Sequence, residues 1–231
     1  MARAAMAVRK SGILNKASVE IIDKPAPSEI SDLRFRALLP IEDWRTLPKA
    51  VQRRFTKRLA EGRTVVYTGR VTTMRRNFAG TVLAQLLRLV GAPLPLASDT
   101  DVPSVILVTE DVATGGQNWT RLYANRTCFP QIIHSAKRFG GATGLEEYLG
   151  RGLCMALRVS VEDGVLTFRD AGYMLHLFGK RIMLPKLLHP GRLVVRHEDK
   201  GMGTFEFSLS LKHHVFGEML HQAGLYRDAP Q

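Results

Sequence analysis

Three residues on one short run are the best placed for chemistry. Between Asn118 and Arg126, Trp119, Arg121 and Tyr123 alternate with Thr120, Leu122 and Ala124, so in an extended strand the first three share a face. Arg121 would then sit between two aromatic rings, either stacked on them at the sheet surface or held inside by a carboxylate. Histidine offers a second kind of acid–base group. His134 and His176 fall in strand-like runs, where an inward neutral imidazole can act as a general base and a satisfied core histidine is the bland alternative. His213 and His214 are adjacent and would point to opposite faces of a strand, and no Cys or acid completes a ligand set with His221, so no metal centre is expected. Cys128 and Cys154 form no CxxC and read as buried thiols. No Gly-x-Ser-x-Gly elbow is present, which leaves hydrolase chemistry unsupported. No Gly-x-Gly-x-x-Gly fingerprint occurs either, so no nicotinamide cofactor is expected by that route, and no other cofactor is called for.

The elements that must position these groups are mostly strands. Leu153, Met155, Leu157, Val159 and Val161 alternate with more polar neighbours, and the pattern returns at Phe205, Phe207, Leu209 and Leu211. Glu162-Asp163-Gly164 and Asp199 to Gly203 read as the turns of hairpins. Further strands are predicted at 64–70, 102–112, 118–126, 127–137, 172–178, 180–184, 192–198 and 204–212, with a helix or strand over 215–226. Two helices precede most of them. In the first, Val51, Phe55 and Leu59 recur every four residues after Thr46 and Pro48, with Gly62 past the end. In the second, capped by Asn77, apolar residues from Phe78 to Val90 cover so much of the circumference that the helix is either deeply buried or lies against lipid, and core packing is the reading preferred. The Leu-rich end of that helix, stopped by Pro93 and Pro95, also suits a lid.

The fold class expected is therefore β-rich α+β: a curved antiparallel meander or barrel of about ten strands, with two packed helices near the N-terminus. Residues 1–29 read as a loose N-terminal arm and 30–231 as a single domain. The apolar runs are too short to span a bilayer, and the first residues lack the apolar segment of a secretory signal, so a cytoplasmic location is expected.

A formal net charge of +12 on 231 residues is unevenly placed. Ten basic residues and one acid fall between 45 and 76, and Lys49, Arg53, Arg54, Lys57 and Arg58 lie on the first helix. The reading is an anionic-surface contact, with an idle solvated face as its alternative. Nucleic acid is disfavoured, because the basic residues lack interleaved aromatic rings.

Several short motifs recur in a familiar order: Leu47-Pro48, Gly69-Arg70, Trp119 to Tyr123, Glu147-Tyr148-Leu149-Gly150, Leu184-Pro185 and Gly217. On these the chain from about 38 to 227 resembles a bacterial family described as domain of unknown function 4166, often joined to saccharopine-dehydrogenase-like reductases. The resemblance implies work beside a redox enzyme, here a separate reductase, on apolar or lipid-like molecules. It also implies Trp119, Arg121 and the following acid, Glu147, as site residues. A buried Arg121–Glu147 pair would orient a ligand carboxylate or hydroxyl, or supply an acid whose pKa burial has raised; a structural salt bridge is the alternative. The function expected is binding of an apolar small molecule or lipid in a β-walled cavity, with peripheral membrane contact through the basic helix. Trp119, Phe168, His176, Phe205 and Phe207 are the expected ligand contacts. The alternative is a cofactor-free isomerase, cyclase or lyase using Arg121, Glu147, His134 and Tyr123.

Overall fold

The structure is a computed structural model and describes residues 31–57, 59, 63–89, 91, 94–126 and 129–228. The arm expected at 1–29, together with Arg58, Gly62, Pro93 and Cys128, lies outside the described residues.

Alternation along the chain builds one sheet. Its strands are β1 (Thr64–Arg76), β2 (Val102–Asp111), β3 (Gly116–Tyr123), β4 (Gln131–Phe139), β5 (Leu145–Gly150), β6 (Leu153–Glu162), β7 (Val165–Leu177), β8 (Lys180–Met183), β9 (Arg192–Gly201), β10 (Thr204–His213) and β11 (Gly217–Asp228). Every strand runs antiparallel to its neighbours. Consecutive strands pair from β1 to β7, β9 follows beside β7, and β11 returns to β1, so ten strands close a barrel. The eleventh, β8, pairs only with the last part of β7. Tight turns at Asp163-Gly164 and Met202-Gly203 take positive φ at both residues, which matches the twist of the strands they join. The segment 215–226, open between helix and strand in sequence, is part of β11.

The expected basic helix is divided in two, α1 (Ile41–Thr46) and α2 (Lys49–Phe55). Leu47 precedes Pro48, and the proline ring forces it to an extended ψ of 142°, so the first helix stops there and Pro48 heads the second. Val51 and Phe55 of α2, with Phe35, plug one end of the barrel against Phe168. The ring centroids of Phe35 and Phe55 lie 5.2 Å apart, edge to face, and those of Phe35 and Phe168 lie 6.3 Å apart.

The plug corrects the reading of Arg54 as an anionic-surface residue. It stands one helical turn from Val51 and shares the inward face, so its side chain is only 1 % exposed. Its guanidinium pairs with Asp199 at 3.2 Å and Asp228 at 3.9 Å, donates to the Gly203 carbonyl at 3.2 Å, and lies 4.4 Å from the centre of the Phe205 ring. Lys57 also turns to Asp228, at 3.6 Å. Lys49 and Arg53 remain exposed.

At the opposite end, the mouth, lies α3 (Phe78–Leu89). Asn77 caps it as expected, its Oδ1 accepting the Gly80 N–H at 2.8 Å, while its Nδ2 donates to the Phe216 carbonyl at 2.8 Å in the β10–β11 turn. Gly80 meets β11 closely, since a Cβ there would stand 2.0 Å from the Met219 carbonyl oxygen. The expectation that α3 packs wholly in the core is overturned: Gly80 and Ala84 are buried, but Phe78, Val82, Leu86 and Leu89 face outward and are exposed. A single helix lying across the end of a barrel has only one protein neighbour to pack against.

Arg54→Ala is expected to destabilise the fold by about 3 kcal/mol, because it leaves Asp199 without its cation, leaves Lys57 alone on Asp228 and removes the packing on Phe205. Arg53→Ala should fall within about 0.5 kcal/mol of wild type. Urea denaturation of both variants checks the difference.

Candidate functional site

Above the plug the inward face of the sheet does not meet itself. A cavity of about 100 Å³ is lined by side chains from eight strands and roofed by Leu83 and Leu87 of α3 with Leu94 and Pro95 beyond it. The roof is tied down at several points. Arg76 donates to the carbonyls of Pro95 and Leu96 and to Thr81 Oγ1, and Gln131 holds both the Leu94 carbonyl and the Leu96 N–H. The Leu-rich segment thus occupies the place of a lid. Most of the wall is aliphatic or aromatic: Met155, Leu193, Leu209 and Leu211, with Phe207 at the lower end. Phe207 and Trp119 are stacked with ring centroids 6.4 Å apart, and both also line a second chamber of about 20 Å³ nearer the plug. That chamber has room for about one water molecule.

Four polar side chains meet on one side of the main cavity. Arg121 on β3, Ser135 and Lys137 on β4, and Glu147 on β5 all point inward from neighbouring strands. Lys137 and Glu147 are direct cross-strand partners, and Trp119 is opposite Ser135. Glu147 Oε2 accepts from Lys137 Nζ at 3.0 Å and Oε1 accepts from Ser135 Oγ at 2.6 Å. Arg121 Nη2 stands 3.6 Å from Glu147 Oε1, and its Nη1 donates to Ser135 Oγ at 3.2 Å. The cations also rest on ring faces: Lys137 Nζ is 5.0 Å from the Trp119 ring centre, and Arg121 is 5.8 Å from that of Phe207.

The charges follow from these contacts. Burial pushes the Glu147 carboxyl upward, but Lys137, Arg121 and the Ser135 hydroxyl outweigh it and hold the group down at about 2. The sequence expectation of a burial-raised acid at Glu147 is therefore corrected: the carboxylate stays ionised at neutral pH. Burial lowers the Lys137 ammonium against the raising effect of Glu147. Tyr123 donates to Gln222 Oε1 at 3.3 Å, and burial moves its phenol well above the ordinary value. The set holds a guanidinium, an amine and one carboxylate inside an apolar wall.

The remaining predicted residues are placed elsewhere. His134 borders the main cavity, but the residue is exposed and its Nδ1 meets Thr120 Oγ1 at 3.0 Å on the outer side of the sheet, so its imidazole is not placed as an interior base. The adjacent pair Ile132-Ile133 left the parity of that strand open, and a shift of one residue exchanges its faces. Ser135 and Lys137, missed from sequence, are the inward residues of the same strand; a lysine two residues from a buried serine was the available signal. His176 also turns away from the cavity. A bulge where Leu157 and Met155 face Asp170 and Tyr173 inverts the parity of β7, so Leu166 and Phe168 point inward before it and Tyr173 after it. Phe168 belongs to the packed plug rather than the cavity wall, and Phe205 lines the small lower chamber beside His197, whose imidazole burial lowers to about 3. Trp119 lines the lower chamber; Arg121, Tyr123, Glu147 and Phe207 line the main cavity.

A family model described as Domain of unknown function (DUF4166) matches residues 47–225. The chain belongs to that family. The match takes in α2, α3 and all the strands that form the cavity, so the Arg121–Ser135–Lys137–Glu147 cluster lies within the DUF4166 region. Neither curated proteins nor solved structures give a match to the chain. No three His, Cys, Asp or Glu side chains among the described residues are grouped to hold a metal ion, and none of the described helices is long and apolar enough to cross a membrane.

The depressed Glu147 pKa gives a signed pH dependence. The folded value, about 2, lies below an unfolded value of about 4.3, so the carboxylate's stabilisation is complete above the unfolded value and is lost as pH falls through the folded one. The loss is on the order of 3 kcal/mol between about pH 5 and pH 2. Denaturation measured across that range should show a steep acid limb for the wild type and a flatter one for Glu147→Gln, from a lower neutral-pH stability.

Proposed function

We propose that this protein binds a small apolar molecule, or the end of an acyl chain, that carries one anionic or hydrogen-bond-accepting group. The observation that carries the reading is the cluster of Arg121, Lys137 and Glu147 inside an otherwise apolar cavity. Buried guanidinium donors left without acceptors are costly unless something completes them, and a ligand carboxylate or phenolate at Arg121 would do so. The guanidinium has more donors than Ser135 and Glu147 occupy, and it is planar and fixed by two partners, so it presents them without further ordering. The apolar remainder of the ligand would lie along Met155, Leu193, Leu209 and Leu211 beneath the α3 roof. A cavity of about 100 Å³ suits a compact group, of the order of the benzene-sized guests taken up by dry engineered cavities.

Binding is favoured over acid–base conversion by the state of the candidate groups. Glu147 stays ionised, Tyr123 is moved away from neutrality, and His134 is turned to the outer face. These leave the polar cluster suited to holding charge rather than passing protons.

Solvent extraction and mass spectrometry of the purified protein should recover an amphipathic molecule, and a fluorescent fatty-acid probe should be displaced by it. Arg121→Met is expected to weaken probe binding at least about tenfold, equivalent to about 1.4 kcal/mol. Leu209→Trp, which fills the cavity, should abolish it while the circular dichroism spectrum is retained. Unchanged affinity in both variants would sink the proposal.

A further inference from the structure

The geometry points to the mouth of the barrel as a surface that docks on an anionic lipid bilayer. This goes beyond ligand binding, and it places membrane contact at the end opposite the basic helix, on the helix for which the sequence offers lipid contact only as the alternative to core packing.

The first observation is α3. Leu83 and Leu87 close the cavity on its inner side, while Phe78, Val82, Leu86 and Leu89 form a stripe on its outer side that no described residue covers. A helix apolar on both faces needs a second apolar neighbour. The second observation is that other segments bring apolar side chains to the same end. Phe129 in the β3–β4 connection, Phe178 in the β7–β8 turn, Leu187 after β8 and Phe216 in the β10–β11 turn join Phe78 and Leu89 of α3, and Phe78, Leu187, Phe129 and Phe178 are 84, 87, 93 and 93 % exposed. Of the exposed large apolar side chains among the described residues, only Leu33, Val112, Met202 and Leu225 lie away from this rim. Six residues from five separate segments make a ring of projecting points around an opening, a shape that enters a deformable surface more readily than it matches a second rigid one.

Charge decides between occupants. Arg88, Arg151, Lys180, Lys186, Arg192 and Lys212 are exposed on the same rim, and none is in an ion pair among the described residues. Of the rim's acids, Asp101 is paired with Arg70 and Arg126 and Glu218 with Arg75, while Asp99 accepts the Arg126 backbone N–H at 2.9 Å; the six unpaired cations outnumber it. Apolar points among free cations fit the boundary between acyl chains and anionic headgroups. The same excess of like charge opposes the face-to-face meeting of two copies.

Flotation of the full chain with vesicles of phosphatidylcholine, or of phosphatidylcholine and phosphatidylglycerol in equal parts, at low and high salt, tests this. Wild-type protein should float with the anionic vesicles. The double variant F178S/L187S should lower that binding at least about tenfold, and K180E/K186E should remove its salt-sensitive part. Met202→Ser is the control, because Met202 is fully exposed in a turn of the same backbone geometry at the plugged end, and it should bind like wild type. The cavity-filling Leu209→Trp should also float normally, so failure of ligand binding and failure of docking are told apart. No flotation at any composition, equal loss in Met202→Ser, or a dimer in sedimentation velocity that F178S/L187S dissolves would overturn the inference.

Discussion

The width of a ten-strand ring is the constraint from which the remaining features follow. Ten strands enclose more space than their own inward side chains fill, so the interior has to be occupied from outside the sheet or left partly open. This chain does both. Phe35 and the two-turn helix carrying Val51 and Phe55 occupy the lower part, and the Trp119–Phe207 stack separates that packed floor from the open space above. The buried Arg54 belongs to the same arrangement, because a helix that presents Val51 and Phe55 to the core also presents the position three residues after Val51 on that face.

The upper space is then shaped by electrostatics. One carboxylate, Glu147, is shared by Lys137, Ser135 and Arg121, each on β3 or β4 and each aimed inward by strand alternation. The cluster sits on the wall rather than at the centre, leaving the aliphatic residues of β9 and β10 on the far side unbroken by charge. In the reading proposed above, that polarity across the cavity would give an amphipathic guest a single preferred orientation: head toward β3–β5, tail toward β9 and β10.

Much of this was legible in the sequence. Strong alternation at 153–161 and 205–211 marked the barrel wall and its inward residues, and the Trp119, Arg121 and Tyr123 spacing placed three groups on one face of one strand, which the fold turns inward. The convergence of Glu147 with Arg121 came from a family resemblance rather than from spacing, since the two are set side by side only through the register of β4 between them. What escaped were parity changes. His134 and His176 were misassigned because two adjacent isoleucines and a bulge conceal which face a residue takes, and the same ambiguity hid Ser135 and Lys137. Arg54 escaped because a helical charge pattern reads as solvated unless acidic residues from distant strands, here Asp199 and Asp228, are known to meet it. For α3 the sequence offers core packing or contact with lipid and favours the first, because an apolar helix looks the same in sequence whether protein covers both of its sides or one.

The division of β7 between two partners has a further consequence. Its first part is laddered to β9 over Leu166 to Arg169 and its last part to β8 over Met174 to Leu177, and the segment from Leu184 to Gly191 bridges the change of partner through the Tyr173 hydroxyl and the His189 ring. At that seam the hoop is held by a short ladder and a few side-chain contacts. Pro190 and Leu193 border the cavity there. The change of partner therefore closes this part of the wall with a connecting segment rather than with a strand, and Pro190 carries that segment to the edge of the cavity.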